Sequence, residues 1–456
     1  MTVDRSRLPE VAPDPHFAFP VIVRHRLDNG LQVRTVEHPG VPVISFIVQV
    51  DGGSGADPSH QEGLAAIVAD MIDEGTGSLS AIDVSDALAR IGADYDVDVG
   101  ADATTFGLTT LTRFADRGAA LLASLITRPS LRDIDFTRVR QLRLDRLRQL
   151  KDLPPAVAER AFLRLLYGTH PYGHLPIGND RALRDITRSD VVNFHEAVYR
   201  PDRATLVVVG PMAHSEMVRT AQDAFGSWSV ARREPPFSTA AGDPSFNGRA
   251  RLAIIARDGA AQSELRIGQL AARRNTPDYP SLLVMNAILG GQFVSRVNLK
   301  LREEKGYTYG ARTGFDWRRA LAPFVFQASV HTAATAEAVK DAVAEIAGMG
   351  ADRPPSSDEL VLARASLTRG YPRNFETAPQ VARGVAQLAL YHLPDTYFGE
   401  FIPNVNAVSA EHVVAAAKRY LRPDELTTLI VGDHASVGES LLSVGLGTPE
   451  LLPSES

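Results

Sequence analysis

Four stretches of the chain hold side chains, or spacings, of the kind that bind metals, move protons or cradle phosphates. In "GLAAIVADMIDEGT" (63–76), Leu64, Ile67, Val68, Met71 and Ile72 fall at i, i+3, i+4, i+7 and i+8, one buried stripe of an α-helix. Ala66 and Asp70 stand four apart on the other face, the spacing at which two side chains can grip one metal ion, but neither is a histidine. "HPYGH" also sets His170 and His174 four apart, yet Pro171 and Gly173 between them oppose a helix, so the pair is read as shaping a loop. "HEAVY" (195–199) begins like the zinc motif HExxH and ends in Tyr199, where the second histidine must be. "ILGGQ" (288–292) lacks the Lys-Ser or Lys-Thr of a phosphate loop, so Gly290 and Gly291 are read as letting a helix and a chain turn pack closely.

The chain that must position these residues has 456 of them, too many for one ordinary core. Its 44% hydrophobic and 22% charged content is that of a soluble globular protein. A net charge of −6 over this length gives no concentrated basic patch, which argues against a nucleic-acid partner. With no cysteine, thiol catalysis, thiolate zinc sites and disulfides are excluded. The N-terminal stretch has acids and prolines where a signal peptide needs an apolar run. No apolar run approaches the ~20 residues of a membrane helix, and a cytoplasmic location without a membrane partner is the expectation.

The sequence is duplicated. "YRPDRATLVVVGP" (199–211) resembles "YLRPDELTTLIVGD" (420–433), with Pro201 and Pro423 lying 222 positions apart. Nearly the same offset relates the long helical patterns "DFTRVRQLRLDRL" (135–147) and "DELVLARASLTRG" (358–370). Helical patterns over 113–126 and 334–348 follow the strand-like runs "TTFGLTTL" and "FVFQASVH". One period of half the chain means two related domains, not a solenoid. Strands tied by hairpins, such as the turn at Asp28, Asn29 and Gly30, and grouped helices predict an α+β class with antiparallel sheets. The expected division is an N-terminal domain over 1–230, a Pro/Gly/Ser-rich linker over 231–248 and a C-terminal homologous domain over 249–456.

Taken in order, "LDNGLQVRTVEHPGVPVISFIVQVDGGSGADP", "GLAAIVADMIDEGT", "YGTHPYGHLPIGN", "YRPDRATLVVVG" and "ILGGQFVSRVNLKLREEKGYTYGARTGF" resemble the pitrilysin and insulinase family of zinc peptidases, the inverzincins. The resemblance covers nearly the whole chain and implies two homologous α+β domains forming half of a clamshell chamber. Active relatives carry HxxEH, two histidine ligands and a glutamate base, on the helix matching 63–76. Those three places hold Ala66, Ala69 and Asp70, and the family's third ligand falls at or near Asp145. Two aspartates without imidazole make a poor zinc site, and Arg143 or Arg146 could neutralise either one, so no metal and no cofactor are expected in this chain. The resemblance also places the family's arginine and tyrosine pair on Arg302 and Tyr309 of "REEKGYTY". Donors of this kind favour a carbonyl oxygen that gains negative charge. Arg302 is expected near the end of a helix whose stripe is Phe293, Val297 and Leu301, Tyr309 at the start of the next strand and Gly306 in the turn between. Tyr307 is the alternative assignment.

Three functions follow. The resemblance implies the zinc-less subunit of a heterodimeric metallopeptidase that supplies Arg302 and Tyr309 to an HxxEH-bearing homologue, which holds the zinc, with a peptide or unfolded polypeptide as substrate. The alternative is a catalytically silent homodimeric binding or scaffold protein like the family's core proteins of respiratory complexes. The third, an enzyme using Asp70, Glu74 and Asp145 for some other chemistry, needs a new mechanism on an old frame and is set aside, since carboxylates on neighbouring helices are common as solvated charge.

Overall fold

A computed structural model describes residues 17–229, 242–244 and 251–453. Fourteen strands are found among them. The first sheet uses β1 (Val23–Arg26), β2 (Gln32–Glu37) and β3 (Val43–Val50); β4 (Gly75–Thr76) and β5 (Leu79–Ser80) form a separate small ladder; β6 (Asp94–Val99), β7 (Thr104–Leu111) and β8 (Ala204–Gly210) complete the first sheet. The second sheet holds β9 (Arg251–Ala256), β10 (Gln262–Leu270), β11 (Thr308–Phe315), β12 (Pro323–His331), β13 (Thr427–Gly432) and β14 (Glu450–Leu452).

The duplication read from sequence is a duplication of topology. The first sheet runs β1-β2-β8-β3-β7-β6, and the second, read in the same sense, runs β14-β9-β13-β10-β12-β11. Both are mostly antiparallel, as expected of hairpin-linked strands, but β2 is parallel to β8 and β9 to β13 at equivalent places. The edge strands break the likeness, because β1 is antiparallel to β2 whereas β14 is parallel to β9. The helical patterns are realised as Ala115–Thr127, Asp133–Lys151, Thr335–Gly348 and Ser357–Thr368.

Each sheet buries apolar side chains on both faces. One face of the first sheet, with Val33, Phe46, Val48 and Leu206, packs on helices of its own half. The other face, with Val36, Ile47, Val207 and Val209, is covered by Val381, Ala382 and Val385 of the helix Ala378–Leu390, which belongs to the second half. The second sheet is treated reciprocally: Ile255, Leu429 and Val431 lie under Ala158 and Phe162 of the helix Pro154–Tyr167 from the first half. Polar contacts reinforce the exchange. Arg319 Nη2 lies 2.6 Å from Asp51 Oδ1, the Arg319 amide donates to Asp102 Oδ2 at 3.0 Å, and Tyr167 Oη donates to the Leu321 carbonyl at 2.8 Å. The expected linker lies outside the described residues apart from Gly242–Pro244. Among the described residues no helix is long and apolar enough to cross a membrane.

Candidate functional site

Arg302 and Tyr309 are brought to one cavity of about 560 Å³ by a helix end, a glycine turn and a bulged strand. The helix begins only at Arg296 and widens into a π turn over Leu299–Glu304, where the Lys305 amide reaches the Lys300 carbonyl at 3.1 Å. Phe293 is therefore not part of a helical stripe with Val297 and Leu301, as the sequence pattern suggested. It is exposed ahead of the helix, and its ring lies 4.3 Å from the guanidinium carbon of Arg302. Gly306, at φ +66°, closes the turn, and the Tyr307 amide donates to the Leu301 carbonyl at 2.8 Å. Asn298 ties the two elements together, donating to the Phe293 carbonyl at 2.7 Å and accepting from the Ala311 amide at 3.1 Å.

The pairing of β11 with β12 shifts register between Thr308 and Ala311. Such a bulge re-aims side chains, and here it separates the two tyrosines: Tyr307 packs on the core of the second half while Tyr309 is 90% exposed. Gly290 sits where a Cβ would come within 2.5 Å of the Thr313 amide, so the close packing read from "ILGGQ" is a real requirement.

Behind the pair lies a group that the sequence did not single out. Glu264 and Arg266, on the same face of β10 and each only 6% exposed, form an ion pair, and Ser329 Oγ also donates to Glu264. Arg266 Nη2 reaches the Pro155 carbonyl of the first half at 3.3 Å. The available signal was an acid and a base two apart inside a strand otherwise buried, since buried charges persist only when paired.

The helix that resembles the zinc helix spans Leu64–Met71. Ala66 was expected on an open face with Asp70; instead Ala66 and Ala69 are each 1% exposed and only Asp70 reaches outward. Arg143 Nε lies 2.6 Å from Asp70 Oδ2. Asp145 is bound by Arg148 and by Gln141 Nε2 at 3.0 Å, Glu74 is paired with Arg138, and Arg146 turns to Gln149. The three carboxylates thus take three different arginines. Among the described residues no group of three or more His, Asp or Glu side chains could hold a metal ion. Two packed alanines and an aspartate already neutralised by arginine do not fit zinc. Neighbouring Asp73 is pushed up to about 6 by burial, with Glu74 and Asp70 adding like charge.

The histidines of "HPYGH" and "HEAVY" have structural partners. His174 Nε2 lies 2.9 Å from Asp57, which also accepts from the Gly63 and Ala65 amides at 2.7 Å each and so caps the helix Leu64–Met71. Burial raises the Asp57 carboxyl despite those contacts. His170 Nδ1 accepts from the Tyr172 amide at 3.1 Å, shaping the loop as expected. His195 of "HEAVY" is buried, its Nε2 2.8 Å from the Ile126 carbonyl and its ring stacked on Tyr199. Burial lowers its pKa, so the unfolded chain binds the proton more tightly than the folded one. Stability supplied by the neutral ring is present above the unfolded pKa of about 6.5 and is lost as the pH falls. Between pH 7 and 5 this group alone withdraws up to about 1.4 kcal/mol of stability per pH unit, opposed by the raised carboxyls of Asp73 and Asp57, so unfolding free energies of wild type and His195→Gln should diverge over that range, with the wild type losing more on acidification.

Residues 32–178 match the family model described as insulinase (peptidase family M16), and residues 185–367 match the peptidase M16 inactive domain. An uncharacterised zinc protease of Mycobacterium tuberculosis is 25% identical over 416 residues, 91% of this chain and 93% of its own. A peptidase M16 inactive domain from Pseudomonas fluorescens superposes with a TM-score of 0.84 at 23% identity, covering 90% of this chain and 98% of that one. A protease from Helicobacter pylori gives 0.85 at 20% identity, covering 91% and 100%.

Proposed function

The chain belongs to the insulinase family of M16 peptidases, and from that membership we propose that it is the zinc-less subunit of a two-chain peptidase, supplying Arg302 and Tyr309 to a homologous partner that carries HxxEH. The observation that carries this reading is an asymmetry between the halves. The first half has packed alanines and an arginine-bound aspartate where a metal would need imidazoles. The second half holds a guanidinium and a phenol on the wall of an open cavity, and Tyr309 is committed to no partner within the chain among the described residues. A pair of donors so placed suits the carbonyl oxygen of an extended peptide, and its most economical use is beside a reaction centre on another chain. The substrate class is a peptide or unfolded segment.

The purified chain alone should retain no zinc after dialysis against a weak chelator and should hydrolyse no peptide. Mixed with an HxxEH chain encoded in the same genome, it should co-elute on size exclusion, and the complex should cleave a quenched peptide faster than the zinc chain does alone. One tightly held zinc per isolated chain would defeat the proposal. Failure of the two chains to co-elute at micromolar concentration would favour the silent scaffold.

A further inference from the structure

A cavity of about 600 Å³ lies in the second half, away from Arg302, among the helices Tyr279–Leu289, Ser357–Thr368, Ala378–Leu390 and Tyr397–Asn406. Six aromatic side chains line it, polar groups including Asn374, Gln380 and Gln387 line the rest, and Arg274 stands in it at only 5% exposure. Arg274 differs from the other deeply buried arginines. Arg266 holds Glu264, and Arg318, also 5% exposed, holds Asp316 at 2.7 Å. Arg274 has no carboxylate partner among the described residues, and its Nη1 is buried without a hydrogen bond. The guanidinium carbon lies 3.6 Å from the ring centroid of Tyr279 and 4.9 Å from that of Tyr397. Aromatic faces offset part of the desolvation of a cation but do not accept from Nη1 as an anion's oxygen would.

A second unsatisfied donor lines the same cavity. The Tyr371 hydroxyl is buried without a partner, while its ring is stacked on Phe401 at 4.0 Å and edge-on to Phe17 at 5.5 Å. Burial pushes this phenol far above its ordinary pKa, so it remains a neutral donor. A buried cation without an anion, a free phenol donor and an apolar side made by Phe375, Phe398 and Leu283 amount to an anion-binding end beside an apolar wall of a mixed cavity. The volume falls within the roughly 300–1,000 Å³ common for small-molecule sites. We propose that this cavity binds an organic monocarboxylate with an aromatic or branched apolar body, its carboxylate taken by Arg274 and the Tyr371 hydroxyl. The site is separate from the Arg302 and Tyr309 cavity and does not depend on the subunit assignment.

Calorimetric titration of the full chain with 4-phenylbutyrate and with the neutral 4-phenylbutyramide tests this. The acid should bind saturably, one molecule per chain, at least about tenfold tighter than the amide. Tyr371→Phe, which keeps the ring stack, should weaken the acid about tenfold and the amide less, because a hydrogen bond to the charged carboxylate is the stronger, with circular dichroism like wild type. Arg274→Gln should abolish acid binding if it folds; Tyr371→Phe carries the test if it does not. No saturation at millimolar acid, equal binding of acid and amide, acid binding untouched by Tyr371→Phe, or its loss in Arg302→Ala would each overturn the proposal.

Discussion

Arg302→Ala and Tyr309→Phe should each lower the turnover of the assembled two-chain peptidase by about 10- to 100-fold, with zinc content and complex size unchanged. Under the proposed function each removes one donor to the scissile carbonyl oxygen, and losing such a donor in a dry site typically costs ~3 kcal/mol of transition-state stabilisation. The lower part of that scale is expected because Tyr309 is 90% exposed and works in a wet cavity. Arg302 is also held by its neighbours, with Glu303 Oε1 at 3.5 Å from its Nε and the Phe293 ring beneath it, so its removal loses some local order as well as a charge. Tyr307→Phe is the control, because that ring packs inward on the core of the second half. Lys305→Ala should also be mild, since a flexible ammonium is not a directed donor. The measurement is kcat and KM for one quenched peptide across the four variants. Wild-type kcat in both Arg302→Ala and Tyr309→Phe would make the pair structural, even with the partner confirmed.

Phe162→Ala should cost about 3–5 kcal/mol and lower the stability of both halves together. Phe162 is 2% exposed and belongs by sequence to the first half, yet it is buried in one cluster with Ile255, Leu429 and Val431 of the second sheet. A cavity there damages the joint between the halves and so weakens whatever each half gains from the other. The two tryptophans provide separate reporters: Trp228 is buried in the first core, and Trp317 is stacked on Phe315 at 4.7 Å in the second. Urea unfolding of the Trp228→Phe and Trp317→Phe backgrounds, with and without Phe162→Ala, should give coincident transitions in every case. Separate midpoints, with only Trp317 responding to the change, would show two independent domains.

The duplicated strand and helix patterns were legible because each carries its own periodicity, and "RPD" before a β-branched run recurs at a fixed offset. The exchange of Pro154–Tyr167 and Ala378–Leu390 was not, since a helix packed on a sheet reads alike whichever sheet it covers. The parallel pairing of β2 with β8 was hidden for a similar reason: pairing partners lie far apart in sequence. At the site, the turn at Gly306 and the strand at Tyr309 could be read from residue types. The bulge that turns Tyr309 outward and Tyr307 inward could not, because it depends on the register against β12. Phe293 was misplaced because its spacing to Val297 and Leu301 continues a helical pattern that the backbone has not yet begun. Glu264 and Arg266 had a readable signal, a charged pair within a buried strand, that only a partner-by-partner account of buried charge would have used. Arg274 had none, since the rings around it come from residues 279, 391 and 397.

The helix exchange also sets a schedule for synthesis. The last strand of the first sheet ends at Gly210, whereas the helix that covers its second face starts at Ala378. A ribosome needs roughly 170 further residues, about 10–30 s, to supply it. Throughout that interval Val36, Ile47, Val207 and Val209 lack the helix that covers them in the finished fold, although all six strands of that sheet have been synthesised. An apolar surface left without its cover for that long is the kind on which nascent chains associate, so the late arrival of one helix exposes the first half to that hazard.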